Sequence, residues 1–355
     1  MMLNTLPHAN RSFQRSVKNL YKLLALPLLI FVPGCVEEEI IHTSLSHDKR
    51  ELTLIPYQDE LIFIEASGPS KGDEGLSTQK GKGKGRGGGF DITLRYLTSV
   101  TDRQREVFET ATKRWERIIK GDVPSVTATT RPIPSAFFGA PPVAEIGETI
   151  DDLIIEVVLT PLDGPGKVLG SAGPRLLRSE NRLTLSGLML FDVADLAFLD
   201  QMDLLEDVIV HEMGHVLGIG TLWAERSLIA GPLDLPYFPG KMANVHWRAE
   251  GGKEFLPIEN SGGPGTRFSH WQESSLDNEL MTGFLNLGEN PLSRISAGSL
   301  RDLGYKVAMV GDKYDLEKGT PGVDINEFTS EDYSEGLLIG EKEVLLKPVG
   351  FVRSK

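Results

Sequence analysis

Two histidines and a glutamate within one short segment have the types and spacing of a metal-dependent hydrolytic site. Residues 211–215 read His-Glu-Met-Gly-His. On an α-helix, residues four apart lie on one face, so His211 and His215 can direct two imidazole nitrogens at one metal ion. Glu212 can place its carboxylate near a water molecule on that metal and take a proton from it. The segment therefore predicts a zinc-binding helix with Glu212 as the general base.

The residues around this motif predict a helix that ends soon after the second histidine. Asp203 followed by Glu206 is typical of a helix start, where a side-chain oxygen accepts hydrogen bonds from free backbone N–H groups. Gly218 is suited to the left-handed conformation that ends a helix. The approach to the motif is apolar, through Leu204, Leu205, Val208, Ile209 and Val210. A surface helix that carries two histidines by chance is the alternative, and this apolar approach disfavours it.

Two histidines leave a zinc site incomplete, so a further ligand must come from elsewhere in the chain. The histidines that follow the motif are His246 and His270. Glu225, Asp234 and Glu250 are carboxylate alternatives in the same part of the chain. His246 is better explained as a surface or supporting histidine than as a ligand.

Several segments downstream and upstream of the motif resemble the leishmanolysin-like zinc peptidases, which are metzincins. In the metzincin pattern a third histidine follows Gly218 by three residues, and this chain has Thr221 there. A displaced histidine, in Ser269-His270-Trp271, precedes Glu279-Leu280-Met281-Thr282-Gly283, which resembles the Met-turn of that family. The other matching segments are Arg114-Trp115-Glu116-Arg117-Ile118-Ile119, Leu159-Thr160-Pro161-Leu162-Asp163-Gly164, Val168-Leu169-Gly170-Ser171-Ala172-Gly173-Pro174, Pro257-Ile258-Glu259-Asn260, Gly262-Gly263-Pro264-Gly265-Thr266 and Leu300-Arg301-Asp302-Leu303-Gly304-Tyr305. The resemblance covers about residues 90–310.

This resemblance implies an α+β zincin fold with a mixed twisted sheet, an active-site helix that carries the motif, and a C-terminal subdomain with a Met-turn. It implies that His211, His215 and His270 hold one catalytic zinc ion and that Glu212 is catalytic; it leaves calcium open. Met281 would support the site from below without ligating, whereas an ordinary core methionine is the alternative. The implied substrates are proteins or peptides.

Length, charge and cysteine content narrow the class of protein. A chain of 355 residues has room for one sizeable catalytic domain or two small ones. A net charge of −13 argues against non-specific binding to nucleic acid or to anionic membrane surfaces. Since Cys35 is the one cysteine, no intramolecular disulfide can form, and no thiol of the mature domain can block the zinc.

Residues 1–34 have the architecture of a lipoprotein signal peptide. Basic residues precede an apolar run at residues 23–32, which is too short to span a membrane. Val32-Pro33-Gly34-Cys35 resembles a bacterial lipobox, in which the cysteine is lipidated and becomes the new N-terminus. An uncleaved anchor or a secretory signal that ends near Gly34 is the alternative. We therefore predict an exported protein anchored through Cys35, with Val36 favouring the outer membrane by resemblance to sorting rules.

The rest of the chain divides by composition into three parts. Residues 35–89 combine a predicted pair of strands, at 52–55 and 61–64, with a Gly- and Lys-rich linker that reads as a flexible tether. Residues 90–310 form the predicted metallopeptidase domain. Residues 311–355 are an acidic extension with two short apolar stretches, at 337–339 and 344–346, and no assigned role.

Within the predicted domain, strands are expected at residues 90–97, 152–159 and 183–191. Thr101 to Gln104 is typical of a capping box for the helix that follows. By resemblance to metzincins, the strand at 183–191 would be the sheet edge that pairs with an extended substrate.

Two functions remain after these steps. The first is a zinc-dependent endopeptidase that acts outside the cytoplasm from a lipid anchor. The second is a non-catalytic surface lipoprotein, an adhesin or binding module that keeps the same fold. Glu212 favours the enzyme, because a purely structural zinc site needs no general base.

Overall fold

The computed structural model describes residues 52–58, 61–68, 89–164, 166–323 and 337–354. Cys35, the predicted signal peptide and most of the predicted linker lie outside these ranges. The described residues form an α+β fold with a curled mixed sheet and six α-helices. None of the described helices is long and apolar enough to cross a membrane.

The elements follow one another in an order that places most strands before the helices. The strands are β1 (Thr53–Leu54), β2 (Ile62–Ser67), β3 (Ile92–Tyr96), β4 (Val126–Ala128), β5 (Phe137–Phe138), β6 (Thr149–Ile150), β7 (Leu153–Thr160), β8 (Gly170–Arg178), β9 (Thr184–Asp192), β10 (Phe284–Leu285), β11 (Leu337–Leu338), β12 (Glu343–Leu345) and β13 (Gly350–Ser354). The helices are α1 (Asp102–Ile118), α2 (Val193–Gln201), α3 (Leu205–Leu217), α4 (Lys241–Glu250), α5 (Glu273–Leu276) and α6 (Arg294–Leu303).

The main sheet has the strand order β3-β7-β9-β8-β13-β2-β4-β6, with β12 also paired to β8. Strands β3, β7 and β9 are parallel, and β8 runs antiparallel to β9. Both β12 and β13 run parallel to β8. Strands β7, β8 and β9 are buried along their whole length. The sequences of β7 and β9 are largely apolar, as expected of strands covered on both faces. Helix α3 packs on β8 and β9 and positions the predicted zinc motif.

Two expectations about strand pairing are wrong. Strands do form near residues 52–55 and 61–64, but β1 pairs with β5, while β2 pairs with β13 and β4. The strand predicted at 183–191 is present as β9, yet it lies between β7 and β8 and has no free edge. Pairing depends on partners distant in sequence, which the pattern of a single strand does not encode. Strand β8 also packs against the motif helix, and its other edge pairs with the C-terminal strands β12 and β13.

Helix α1 forms as its sequence predicts and supports the motif helix. The side chain of Thr101 accepts from the backbone of Gln104, and the Gln104 side chain accepts from the backbone of Thr101, so the capping box is confirmed. Its apolar face packs on α3. There, the indole N–H of buried Trp115 donates to the carbonyl of Val210 over 2.9 Å. This bond fixes the backbone one residue before the first motif histidine.

The motif helix α3 is buried almost all round, as expected of a helix with apolar residues on every face. Its C-terminus agrees with the prediction, because Gly218 adopts the left-handed conformation with φ of 112°. The predicted N-terminal cap is wrong. Leu204 is the capping residue, no side chain caps the helix, and Asp203 itself has a φ of 59°. The carboxylates of the first turn instead meet Arg114 of α1, at 3.2 Å for both Glu206 and Asp207.

Strands from both sides of the predicted domain boundaries join this sheet. Strand β2 lies in residues 35–89, which precede the predicted domain, and β12 and β13 lie in the predicted acidic extension. Residue Gly350 of β13 pairs with Ile62 on one side and with Leu176 on the other. Residues Glu343–Leu345 and Gly350–Ser354 of the predicted extension are therefore built into the same sheet as strands from residues 90–310.

Candidate metal centre

The three histidines named by the sequence converge on one point in the interior. His211 and His215 extend from one face of α3, and His270 approaches from the loop before α5. The Nε2 atoms of His211 and His215 are 2.9 Å apart. Each of these atoms lies 3.1 Å from the Nε2 of His270. All three side chains are fully buried, so the structure brings the predicted ligands together in a dry site.

Backbone carbonyls fix which nitrogen of each histidine carries a hydrogen. In every case the Nδ1 atom faces a carbonyl oxygen, which can only accept, so Nδ1–H donates, and in the neutral ring the lone pair is then on Nε2. Burial lowers the pKa of His215 to about 3, which keeps this imidazole neutral. The pairs are His211 with Leu280 at 2.7 Å, His215 with Ile219 at 2.9 Å and His270 with Thr266 at 3.1 Å.

Three nitrogen lone pairs that face one another repel unless a cation lies between them. A single proton can join two of these nitrogens but not three. Tetrahedral bonds of 2.0–2.1 Å to a zinc ion would separate the ligand nitrogens by about 3.3 Å. The observed separations of 2.9 to 3.1 Å are slightly shorter than this. The three side chains therefore fit a divalent metal ion.

Glu343 of β12 adds a carboxylate to the three histidines, so that four side chains could hold a metal ion. Its Oε1 lies 2.9 Å from the Nε2 of His270, and its Oε2 lies 3.4 Å from that of His211 and 3.5 Å from that of His215. In this geometry neither oxygen accepts a hydrogen bond. A carboxylate in this position supplies both a ligand oxygen and a negative charge for a cation.

Sequence reasoning missed Glu343. The apolar stretches at 337–339 and 344–346 signalled order on either side of it, but no local pattern distinguishes this glutamate from its acidic neighbours. Its position at the site follows from the parallel pairing of β12 with β8, which places Glu343 opposite Gly170.

Glu212 lies beside this cluster with its carboxylate unused. The side chain is fully buried, and neither of its oxygens has a hydrogen-bond partner. Burial, and then the charge of Glu343 within hydrogen-bond reach, raise the pKa of Glu212 well above its ordinary value. A buried carboxyl group that makes no hydrogen bond and lies against a second carboxyl group is unfavourable for stability, so a purely structural role does not account for it.

The turn at residues 279–283 supports the site from the side opposite the sheet. Its Leu280 carbonyl holds His211, and its Met281 carbonyl accepts from the backbone of Trp271, next to His270. A β-carbon added to Gly214 would lie 2.8 Å from the sulfur of Met281, so the glycine leaves room for this methionine beneath α3. The predicted position of Met281, packed under the motif helix, matches this geometry.

Glu279 holds that turn in place through a buried carboxylate. It accepts hydrogen bonds from the backbone N–H of Met281 at 2.7 Å and of Ser293 at 3.1 Å. The hydroxyls of Ser293 and Ser296 also donate to it, each over 2.7 Å. The carboxylate thereby joins the turn to the start of α6.

Replacing Glu279 with alanine is expected to lower the free energy of unfolding by about 3 kcal/mol, because several buried donors lose their acceptor. Glu279→Gln keeps the shape and one acceptor oxygen, and should lose less. Thermal unfolding of both variants and of an exposed control, Glu317→Ala, measures the difference. Equal stability of Glu279→Ala and the control would show that the carboxylate does not hold the turn.

The other candidate ligands lie elsewhere. His246 is on α4, and its Nε2 is 3.1 Å from the sulfur of Met309. Glu225 and Asp234 are exposed, and Glu250 pairs with Arg294 at 2.6 Å. Thr221, at the position where the metzincin pattern has a histidine, donates instead to the carbonyl of His215 over 2.6 Å. Of the sequence candidates, His270 alone joins the motif histidines.

Comparison with known proteins does not assign a family. No protein-family model matches this chain, and no curated protein matches its sequence. The geometry of the metal centre is therefore the basis on which a function can be proposed.

Proposed function

We propose that this chain is a zinc-dependent endopeptidase of the leishmanolysin-like type. The observation that supports it best is the convergence of three imidazole Nε2 atoms beside a buried glutamate whose oxygens make no hydrogen bond. Three histidines with a neighbouring glutamate are the set found in catalytic zinc sites, whereas structural sites commonly use four cysteines or histidines. Lewis-acid activation of a water molecule and of a peptide carbonyl is the chemistry that zinc would supply.

The protein groups have separate roles in this proposal. The ion would be held by the Nε2 atoms of His211, His215 and His270. Each ring is fixed in orientation because its Nδ1–H donates to a backbone carbonyl. Glu212 accepts the proton of the attacking water and passes it to the leaving amine. Its position next to the first histidine of the motif puts its carboxylate within reach of a water molecule on the ion.

Strand β8 supplies the edge along which an extended peptide could bind if β12 were displaced. Its residues Gly170–Ala172 pair with Glu343–Leu345, and this pairing brings Glu343 to the metal centre, so the edge runs past the site. Pairing along a strand edge recognises backbone rather than a particular sequence. Peptide chains are therefore the proposed substrate class.

A non-catalytic binding module is the second candidate, and Glu343 is the observation that favours it. With this carboxylate in place the site has four protein donors, as a structural zinc site has. Digestion of an unstructured protein such as casein separates the two. The enzyme should cleave it, lose cleavage with a zinc chelator and regain it with added zinc. Zinc-loaded wild type and Glu343→Ala that both leave casein intact would favour the binding module.

Export and lipid anchoring remain part of the proposal, and Cys35 is the residue that tests them. Cys35→Ser should release the protein from membranes, because a serine cannot carry the lipid that provides apolar burial. Fractionation with metabolic lipid labelling of cells is the measurement, and wild type is the positive control. Label on the serine variant, or none on the wild type, would exclude lipidation at this cysteine.

A further inference from the structure

One continuous segment, residues 337–346, crosses the face of the metal centre; we call it the C-terminal strap. It begins as β11, which pairs with β10 just beyond the Met281 turn. The N–H of Gly340 then donates to the carbonyl of Gly283 over 3.2 Å. The strap ends with β12 along β8. It therefore spans the site from the turn on one side to the main sheet on the other.

The strap packs closely on both sides of the site. Ile339 is fully buried, and Leu346 is 1% exposed. A β-carbon on Gly265 would lie 2.4 Å from the carbonyl oxygen of Gly340, so the strap backbone meets the loop that precedes His270 directly. On the sheet side, the N–H of Leu169 donates to the carbonyl of Lys342 over 2.6 Å. No space for a second peptide remains between the strap and this loop.

The strap presents a side-chain carboxylate, not a peptide bond, to the histidines. The carbonyl of Lys342 is occupied by Leu169, and so faces the sheet. Glu343 points inward and lies against both the three Nε2 atoms and the carboxyl group of Glu212. It lies between the three Nε2 atoms and Glu212, where the proposed mechanism would need the attacking water. The strap is thus held as an occupant rather than as a substrate for cleavage.

We propose that the C-terminal strap is a built-in inhibitor: Glu343 fills the fourth ligand position while β12 covers the β8 edge, and substrate binds only after the strap moves. This inference rests on the proposed endopeptidase function. Because β13 continues from the strap into the centre of the sheet, the displaced segment stays tethered and can return. A tethered occupant competes at high effective concentration without tight intrinsic binding.

The strap also explains a feature that a permanently open enzyme would not have. Glu212 is fully buried, so that a substrate could not reach it in this arrangement.

The test uses the full-length protein with cobalt(II) in place of zinc, because the visible spectrum of cobalt reports its ligands. Acetohydroxamate, a small chelating anion, is the probe for an open ligand position. Wild type should bind it weakly, and Glu343→Ala should bind it about 100-fold more tightly if the strap is open in about 1% of wild-type molecules. Lys347→Ala, which alters an exposed side chain of the same chain segment, is the matched control and should behave as wild type.

Casein cleavage by the zinc-loaded proteins is measured in parallel and should rise by a similar factor in Glu343→Ala. Glu343→Gln, which keeps the side-chain shape but is a poor metal ligand, provides the same comparison should the alanine variant not fold. Equal probe affinity in wild type and both Glu343 variants would overturn the proposal that the strap is an inhibitor. Tighter probe binding without cleavage by any variant would uphold the strap and overturn the endopeptidase. A folded wild type that binds neither metal would overturn both.

Discussion

Replacing Glu212 with alanine is expected to abolish peptide hydrolysis while the protein remains folded and binds its metal. Glu212 is not among the side chains that surround the metal position, so its loss should not empty the site. It does remove the group that takes a proton from water and gives it to the leaving amine. General acid–base catalysis of this kind contributes about 10²–10⁴-fold, and loss of water positioning adds to the effect.

The comparison is made on casein with zinc content measured in the same samples. To expose the effect fully, Glu212→Ala is examined alone and combined with Glu343→Ala. Glu206→Ala is the control, since Glu206 lies in the first turn of the same helix with its side chain 42% exposed and paired with Arg114. If Glu212→Ala hydrolyses casein as fast as wild type, and the double variant as fast as Glu343→Ala, another group is the base.

The second large effect is expected in metal affinity. Loss of a side chain that only hydrogen-bonds to a metal ligand weakens metal binding by roughly 10–100-fold. His270→Ala should weaken zinc binding by well over this factor, because it removes a ligand itself. His246→Ala should leave affinity nearly unchanged, since its ring contacts Met309 and lies apart from the metal centre. Both variants remove one imidazole, so a difference in zinc affinity between them reports where the lost histidine lies.

A competition titration against a chromogenic zinc chelator gives both affinities, and elemental analysis should show about one zinc per wild-type chain. The reverse ranking of the two variants would mean that the metal is held elsewhere. Equal and strong affinity in both would mean that Glu343 and the motif histidines suffice without His270.

Local sequence patterns predicted the local structure well. The motif spacing placed His211 and His215 on one face of a helix, and Gly218 ends that helix in the left-handed conformation. The capping box at Thr101 formed as expected, because it depends on residues three apart. Each of these features is decided within a few residues, where side-chain chemistry and backbone geometry act together.

Features that depend on distant partners were not predicted. Asp203 has the side chain of a helix cap, but the ion pairs of Glu206 and Asp207 with Arg114 fix the start of the helix differently. Strand β9 has an apolar pattern that suits either an edge or an interior position, and the pairing of β8 decides it. Glu343 reaches the metal centre only because β12 aligns with β8, a register that no neighbouring residue specifies.

The position of His270 illustrates the intermediate case. Chemistry alone left several residues open as the third ligand, and the resemblance of the following turn favoured His270. The structure shows the physical link between the two, because the N–H of Trp271 donates to the carbonyl of Met281 over 3.0 Å. Glu279 fixes the same turn through its buried hydrogen bonds. A short motif thus carried information about a contact outside its own span.

The central place of β13 has a consequence for how the protein is made. Strand β2, with β4 and β6 beyond it, is hydrogen-bonded to β8 through β13. Strand β13 is the last strand in chain order, so it is also the last to emerge, from a ribosome or from an export channel. Until then the two parts of the sheet cannot join. The same stretch of chain delivers Glu343, so we expect the newly made site to be completed and closed in one folding step, and a nascent chain never to be an open protease.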